Sequence, residues 1–98
     1  MLRAAFALVL LPGDEEKPWA DALAWAAEQG GVLPSRHDML VLFRNLRAKF
    51  ERDWYWTSEE VAGDAAYAWF QDFYGGYQGS TRKSDSYRAR AVRRVPIR

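Results

Sequence analysis

The sequence predicts an α+β fold in which two helices pack on one small antiparallel sheet. A short apolar run comes first, two amphipathic segments with helical spacing follow it, and aromatic, β-prone segments make up the second half. Helices and strands that are segregated along the chain in this way are typical of α+β proteins. The 98 residues suit a single domain, 1–98.

The first predicted element is a strand over Leu2–Leu10. This run is apolar and ends at Pro12-Gly13-Asp14, which predicts a buried strand followed by a turn. It is too short to span a bilayer and lacks a convincing signal-peptide cleavage site, so we expect it to be retained. Residues Gly13–Lys17 are predicted to form an acidic loop.

The first helix is predicted to begin at Pro18 and to end at Gly30-Gly31. Its expected inward stripe is Trp19, Leu23, Ala26 and Ala27. Trp25 lies off this stripe, and we expect it to pack under a neighbouring loop, with an exposed position as the alternative.

The second helix is predicted to start at Ser35. Leu33-Pro34 fixes its entry, and Ser35 with Asp38 has the spacing of a capping box. The expected inward face is Met39, Leu40, Leu42, Phe43, Leu46 and Phe50.

The second half of the chain predicts strands. Trp54–Thr57 is aromatic and β-prone, Glu59–Asp64 is predicted as a loop, and Ala65–Tyr74 is predicted as a central strand because both of its faces are apolar. Gly75-Gly76 is a predicted turn, and Tyr87–Val95 is the predicted last strand. The polar segment Tyr77–Ser86 lies between them.

Several segments resemble a known domain family. They are Gly30–Arg36 (GGVLPSR), Tyr55–Glu59 (YWTSE), Tyr67–Phe73 (YAWFQDF), Gly75–Gln78 (GGYQ) and Arg88–Val95 (RARAVRRV). Their order and composition are similar to the domain family named for the C-terminal domain of the Legionella collagen-like protein. The stand-alone phage or prophage form of that family is the closest in size.

The resemblance implies a C-type-lectin-like fold with adjacent N- and C-terminal strands, here Ala4–Leu10 beside Arg88–Val95. It also implies ligand binding, with a glycan or a protein as the usual partner. The chain contains no cysteine, which excludes disulfides, thiolate metal sites and the cysteine chemistry of formylglycine-generating enzymes. The motifs by which calcium-dependent lectins hold sugar are also absent.

Catalytic patterns are scarce. His37 is the only histidine, and we expect it on the helix surface rather than in a metal site or a serine triad. The paired acids Glu59-Glu60 are typical of a solvated loop, although a carboxylate enzyme stays a third possibility. The sequence therefore predicts a protein that is not an enzyme and has no cofactor and no metal.

The predicted binding residues are Tyr74, Tyr77, Gln78, Arg82 and Lys83, with Tyr87 in the same stretch. Tyrosine combines a rigid apolar ring with a hydroxyl, and arginine adds directional donors, which suits recognition of sugars or proteins. The alternative is a turn whose tyrosines cover the edge of the core. We expect a binding module that uses its loop face.

A second hypothesis is a small phage-encoded inhibitor that docks on a nucleic-acid-targeting host defence complex. The stretch from Ser80 to Arg98 is basic, with Arg82, Lys83, Arg88, Arg90, Arg93, Arg94 and Arg98 against Asp85. This predicts either solvated arginines or a patch for an acidic partner. The net charge of +1 does not predict nucleic acid as a direct ligand, and no membrane partner is expected. The expected location is the host cytoplasm or the virion, and the oligomeric state is left open.

Overall fold

The computed structural model describes residues 5–97. Leu2–Ala4 of the predicted first strand and Arg98 of the basic stretch lie outside these residues. The elements are β1 (Ala5–Leu10), β2 (Glu15–Lys17), α1 (Trp19–Glu28), α2 (Arg36–Leu46), a 3₁₀ turn (Arg47–Lys49), β3 (Trp54–Val61), β4 (Asp64–Asp72), β5 (Gln78–Arg82), β6 (Tyr87–Ala89) and β7 (Val92–Ile97). The predicted α+β class is confirmed.

The strands form two sheets rather than the single antiparallel sheet predicted. A five-stranded sheet has the order β2-β6-β3-β4-β5, and β1 pairs with β7 in a separate two-stranded ribbon. The larger sheet is mixed, because β3 and β6 are parallel while its other pairs are antiparallel. The predicted acidic loop contains the edge strand β2, and the polar stretch after the glycine turn contains β5.

The predicted adjacency of the first and last strands is confirmed. The pairing of β1 with β7 runs from Ala5 opposite Ile97 to Leu10 opposite Val92. The prediction of a buried first strand is wrong, because Phe6 and Val9 are 57% and 41% exposed. A two-stranded ribbon has only one covered face: Leu8 and Leu10 pack against the cluster that includes Met39 and Leu42, whereas Val9 lies on the opposite face.

The predicted last strand is divided between the two sheets. The backbone bends at Arg90-Ala91, where the Arg90 guanidinium donates to the Leu11 and Lys49 carbonyls at 2.8 and 2.6 Å. The Ala91 carbonyl accepts from the Leu11 amide at 2.9 Å. These bonds hold the chain as it leaves the larger sheet and enters the ribbon.

Helix α1 begins one residue later than predicted, because Pro18 is its N-cap. Its buried residues are Trp19, Ala22, Trp25 and Ala26, so the predicted stripe was displaced and Ala27 is exposed. Trp25 packs under the Gly13 loop as expected: a Cβ on Gly13 would lie 3.1 Å from its ring. The loop therefore needs glycine at this position.

The capping box predicted for α2 is confirmed. The Ser35 hydroxyl accepts from the Asp38 amide at 3.0 Å, and the Asp38 carboxylate accepts from the Ser35 amide at 2.9 Å. Met39 and Leu42 are buried as predicted, but Leu40 lies on the exposed side of the helix.

The two helices cover opposite faces of the five-stranded sheet. Tyr55 and Trp56 are neighbours on β3 and therefore point to opposite faces. Trp56 belongs to the core cluster that includes the buried residues of α1, whereas Tyr55 packs in the cluster that includes Met39 and Leu42 of α2.

The predicted loop Glu59–Asp64 is wrong, because β3 continues to Val61 and β4 starts at Asp64. The register shifts between Trp56 and Glu60, where the Thr57 hydroxyl donates to the Trp69 carbonyl at 2.8 Å. Exposed acids on an extended strand resemble a loop in sequence. The prediction of β4 as an interior strand is confirmed, because it pairs with β3 and β5.

Candidate functional site

A tightly held turn joins β4 to β5. The Tyr77 carbonyl accepts from the Asp72 amide at 2.8 Å and from Gln71 Nε2 at 3.2 Å, while the Asp72 carboxylate accepts from the Gly75 amide at 2.6 Å. Gly76 has a φ of 91°, and a Cβ there would lie 2.8 Å from the Phe43 ring. The turn is therefore fixed by bonds on both sides and by a glycine that no other residue can replace without strain.

Two predicted site residues project from this turn. Tyr74 is 69% exposed and Tyr77 is 53% exposed. The Arg52 guanidinium lies 4.8 Å from the Tyr74 ring centroid, a cation–π contact that links the tyrosine to the loop before β3. Two large aromatic surfaces are thus presented to solvent on a fixed backbone.

An aromatic cluster supports Tyr77 from below. Trp54 stacks on Phe70 with ring centroids 3.9 Å apart, and Tyr77 packs edge-on against both rings at 6.5 and 6.0 Å. Tyr87 packs against Trp54 at 5.4 Å. Such offset and edge-on contacts restrict ring motion, so the exposed part of Tyr77 is preorganised.

Gln78 is committed to internal contacts. Its Nε2 donates to the Arg36 carbonyl at 2.8 Å and to Gln71 Oε1 at 3.0 Å, and its Oε1 accepts from Arg36 Nε at 2.9 Å. The side chain therefore joins β5 to the start of α2.

Arg82 and Lys83 lie at the opposite end of β5 from the tyrosine turn. The five residues of β5 separate Gln78 from Arg82 by about 13 Å at the usual rise per strand residue. Lys83 pairs with Glu60 at 3.2 Å and lies 4.6 Å from the Trp19 ring centroid. A hydrogen bond with Tyr67 raises the pKa of exposed Arg82.

Of the predicted residues, Tyr74 and Tyr77 thus lie on one turn, and Tyr87 is linked to Tyr77 through Trp54. Trp54 and Arg52 contact these tyrosines and were not predicted as site residues. Trp54 looked like an ordinary strand residue in sequence. Nothing in the sequence placed Arg52 beside Tyr74, because that contact depends on how the loop before β3 meets the turn.

The arginines of the C-terminal segment are largely engaged inside the protein. Arg88 contacts Asp14 at 3.1 Å and Asp53 at 3.2 Å, and Arg94 pairs with Asp38. The hydrogen bond to Asp14 raises the pKa of Arg88. Arg90 donates to backbone carbonyls, and so does Arg93, which bonds Gly30. These contacts reduce the number of guanidinium donors that an acidic partner could meet.

Glu59 and Glu60, the paired acids considered for catalysis, have partners within the protein, whereas His37 lies on the surface. Glu59 accepts from the Arg36 amide at 2.7 Å at the start of α2, and Glu60 pairs with Lys83. His37 is exposed and lines a shallow depression on the outer side of α2 with Leu40, Val41, Arg44 and Asn45. Within residues 5–97, no three histidine or carboxylate side chains are grouped as a metal ion would require.

Neither helix in the described part of the chain has the length and apolar composition needed to cross a bilayer. No protein-family model matches the sequence, and a search of curated proteins finds no match.

Proposed function

We propose that the protein is a non-enzymatic binding module of the phage or prophage type, which recognises a glycan or a protein through the β4–β5 turn. The observation that carries this proposal is the pair of exposed tyrosines, Tyr74 and Tyr77, on a turn fixed by hydrogen bonds. Exposed aromatic side chains on a rigid backbone supply contact area at low entropic cost.

The contacts around the turn support ligand binding over a purely structural role. A tyrosine that only covers the core edge would lie flat on it. Tyr74 is instead 69% exposed, and its ring contacts the Arg52 guanidinium. The tyrosine hydroxyls and the Arg52 guanidinium are available as hydrogen-bonding groups beside apolar rings. This combination suits either a sugar ring or a protein loop.

We also propose that the arrangement is C-type-lectin-like. The paired first and last strands, the two helices and the antiparallel β3-β4-β5 part of the larger sheet support this assignment. In this assignment the tyrosine turn belongs to the loop face.

The alternative function, inhibition of a nucleic-acid-targeting host complex, could use the same tyrosine turn. A version in which the basic C-terminal segment blocks a nucleic-acid path has less support, because Arg88, Arg90, Arg93 and Arg94 have internal partners.

The test compares wild-type protein with Tyr74→Ala/Tyr77→Ala on a glycan array and in affinity capture from bacterial lysate. Leu40→Ala/Val41→Ala, which truncates two exposed apolar residues on α2, is the matched control. We expect the tyrosine variant to lose binding at least about ten-fold, as for aromatic hot spots, while the control binds like wild type.

A sugar that binds wild type and control but not the tyrosine variant supports a glycan-binding module. Capture of one host complex with the same dependence supports the inhibitor. Binding that is equal in all three proteins would exclude the tyrosine turn as the contact surface.

A further inference from the structure

The four outer strand edges of the two sheets differ in how they are protected. Unpaired strand edges invite pairing with other chains, and proteins block them with charge, proline or short length. In the five-stranded sheet, β2 is three residues long and charged, while β5 is polar and ends in Arg82. In the ribbon, β7 carries Arg93, Arg94 and Pro96. A reciprocal backbone pair between Val32 and Val92 also occupies the start of the β7 edge.

Strand β1 has none of these protective features. Its six residues, AFALVL, contain no charge, no proline and no glycine. Among residues 5–97 it pairs with β7 alone, so its other edge carries free backbone donors and acceptors. Short apolar segments without charge or proline are the ones most prone to intermolecular pairing.

We propose that the free edge of β1 pairs with β1 of a second copy, antiparallel and about a two-fold axis at Ala7. The strand order across the dimer is β7-β1-β1-β7. A two-fold perpendicular to the sheet makes the contact isologous and closed, which ends the assembly at a dimer. Exposed Phe6 then lies opposite Leu8 of the other copy, and Ala7 lies opposite itself.

Charge favours pairing of the two copies through β1 over pairing through β7. In the proposed order the two basic β7 strands are the outer strands, about 14 Å apart at the usual strand spacing. That distance exceeds the Debye length of about 8 Å at physiological salt, so the two arginine pairs are screened from each other. Pairing through β7 would instead place Arg93 and Arg94 of the two copies side by side, and Pro96 has no amide to donate.

The register centred on Ala7 pairs only residues 5–9 of the two copies, so the dimer should be weak and dependent on concentration. Interfaces below about 1,200 Å² are typical of transient complexes. We expect sedimentation experiments to show a monomer that shifts to a dimer as the protein concentration rises.

Val9 and Val95 provide a matched pair of test positions. They are 41% and 38% exposed and lie on the same outward face of the ribbon, but on different strands. Val9→Glu places a charge on the β1 edge and faces Arg93 within the ribbon, so it should keep the fold. We expect it to weaken dimerisation at least about ten-fold, because a charged side chain on an edge strand opposes pairing with another chain, while Val95→Glu dimerises like wild type.

The absence of cysteine allows a direct check of the two-fold. Residues directly opposite each other in an antiparallel pair are close enough for a disulfide. Under mild oxidation Ala7→Cys should form a covalent dimer, and Val95→Cys should not. A wild-type protein that stays monomeric at every measurable concentration overturns the proposal. So does equal weakening by the two glutamate variants, or equal cross-linking of the two cysteine variants.

Discussion

The five-stranded sheet and the β1–β7 ribbon bury their apolar surfaces to different extents. Both faces of the larger sheet are covered where it holds Tyr55 and Trp56, which are fully buried. In the ribbon only one face packs against α2, and Phe6, Val9, Val95 and Ile97 remain exposed. Two-stranded ribbons are marginally stable by themselves. The ribbon therefore depends on the rest of the domain, to whose second core cluster it contributes the buried Val92.

The largest expected difference between the two regions comes from truncating Trp56. The side chain is fully buried and its Nε1 donates to the Lys17 carbonyl at 2.8 Å. We expect Trp56→Ala to lower the free energy of unfolding by about 3–5 kcal/mol. Trp56→Phe serves if the alanine variant does not fold. Val9→Ala in the ribbon should cost less than about 1 kcal/mol, because the valine is partly exposed. Urea denaturation followed by circular dichroism measures both, and equal losses would contradict the comparison.

A smaller effect is expected where the ribbon joins α2. Asp38 pairs with Arg94 of β7 while also closing the capping box with Ser35. Asp38→Asn removes the charge but keeps an oxygen that can accept from the Ser35 amide. We expect hydrogen exchange of the β7 amides to rise by an amount that corresponds to about 1–2 kcal/mol of easier local opening. The β4 amides should exchange as in wild type. Equal acceleration in β4 would show that the two regions open together.

An effect of similar size at neutral pH is expected at Tyr55, near the start of β3. Its hydroxyl donates to the Asp14 carboxylate and accepts from the Glu51 amide at 2.9 Å. Tyr55→Phe removes both bonds and should lower the free energy of unfolding by about 1–2 kcal/mol.

The same residue predicts a pH dependence. Burial and the hydrogen bond to Asp14 raise the pKa of Tyr55 above its ordinary value of 10.0. The unfolded state therefore loses this proton before the folded state does, and stability falls as the pH rises above about 10. In Tyr55→Phe that part of the loss should disappear. Denaturation curves at rising alkaline pH measure it, and identical slopes for the two proteins would contradict this origin.

Local signals predicted the helices well. The capping box of Ser35 and Asp38 and the glycines after α1 act through neighbouring backbone groups, so sequence alone identifies them. The strands depended on distant partners. Tyr87–Val95 looked continuous, and only the contacts of Arg90 with Leu11 and Lys49 show why the chain changes sheet there.

The candidate site was predicted only in part for a similar reason. Tyr74 and Tyr77 flank a glycine turn that is recognisable in the sequence, and this made them candidates for a binding face. Gln78 has the same polar character in sequence, but Arg36 and Gln71 bind its side chain. Composition identifies residues able to bind a ligand, whereas tertiary contacts decide which of them remain free to do so.

The pairing of β1 with β7 also has a consequence for synthesis of the chain. The strand made early pairs with the strand made last, since Leu10 lies opposite Val92. At about 5–20 residues per second, translation leaves β1 without its partner for roughly 4–16 seconds. During that time an uncharged apolar strand is exposed on the ribosome. The chain is therefore most open to aggregation, and to capture by chaperones, before β7 has emerged.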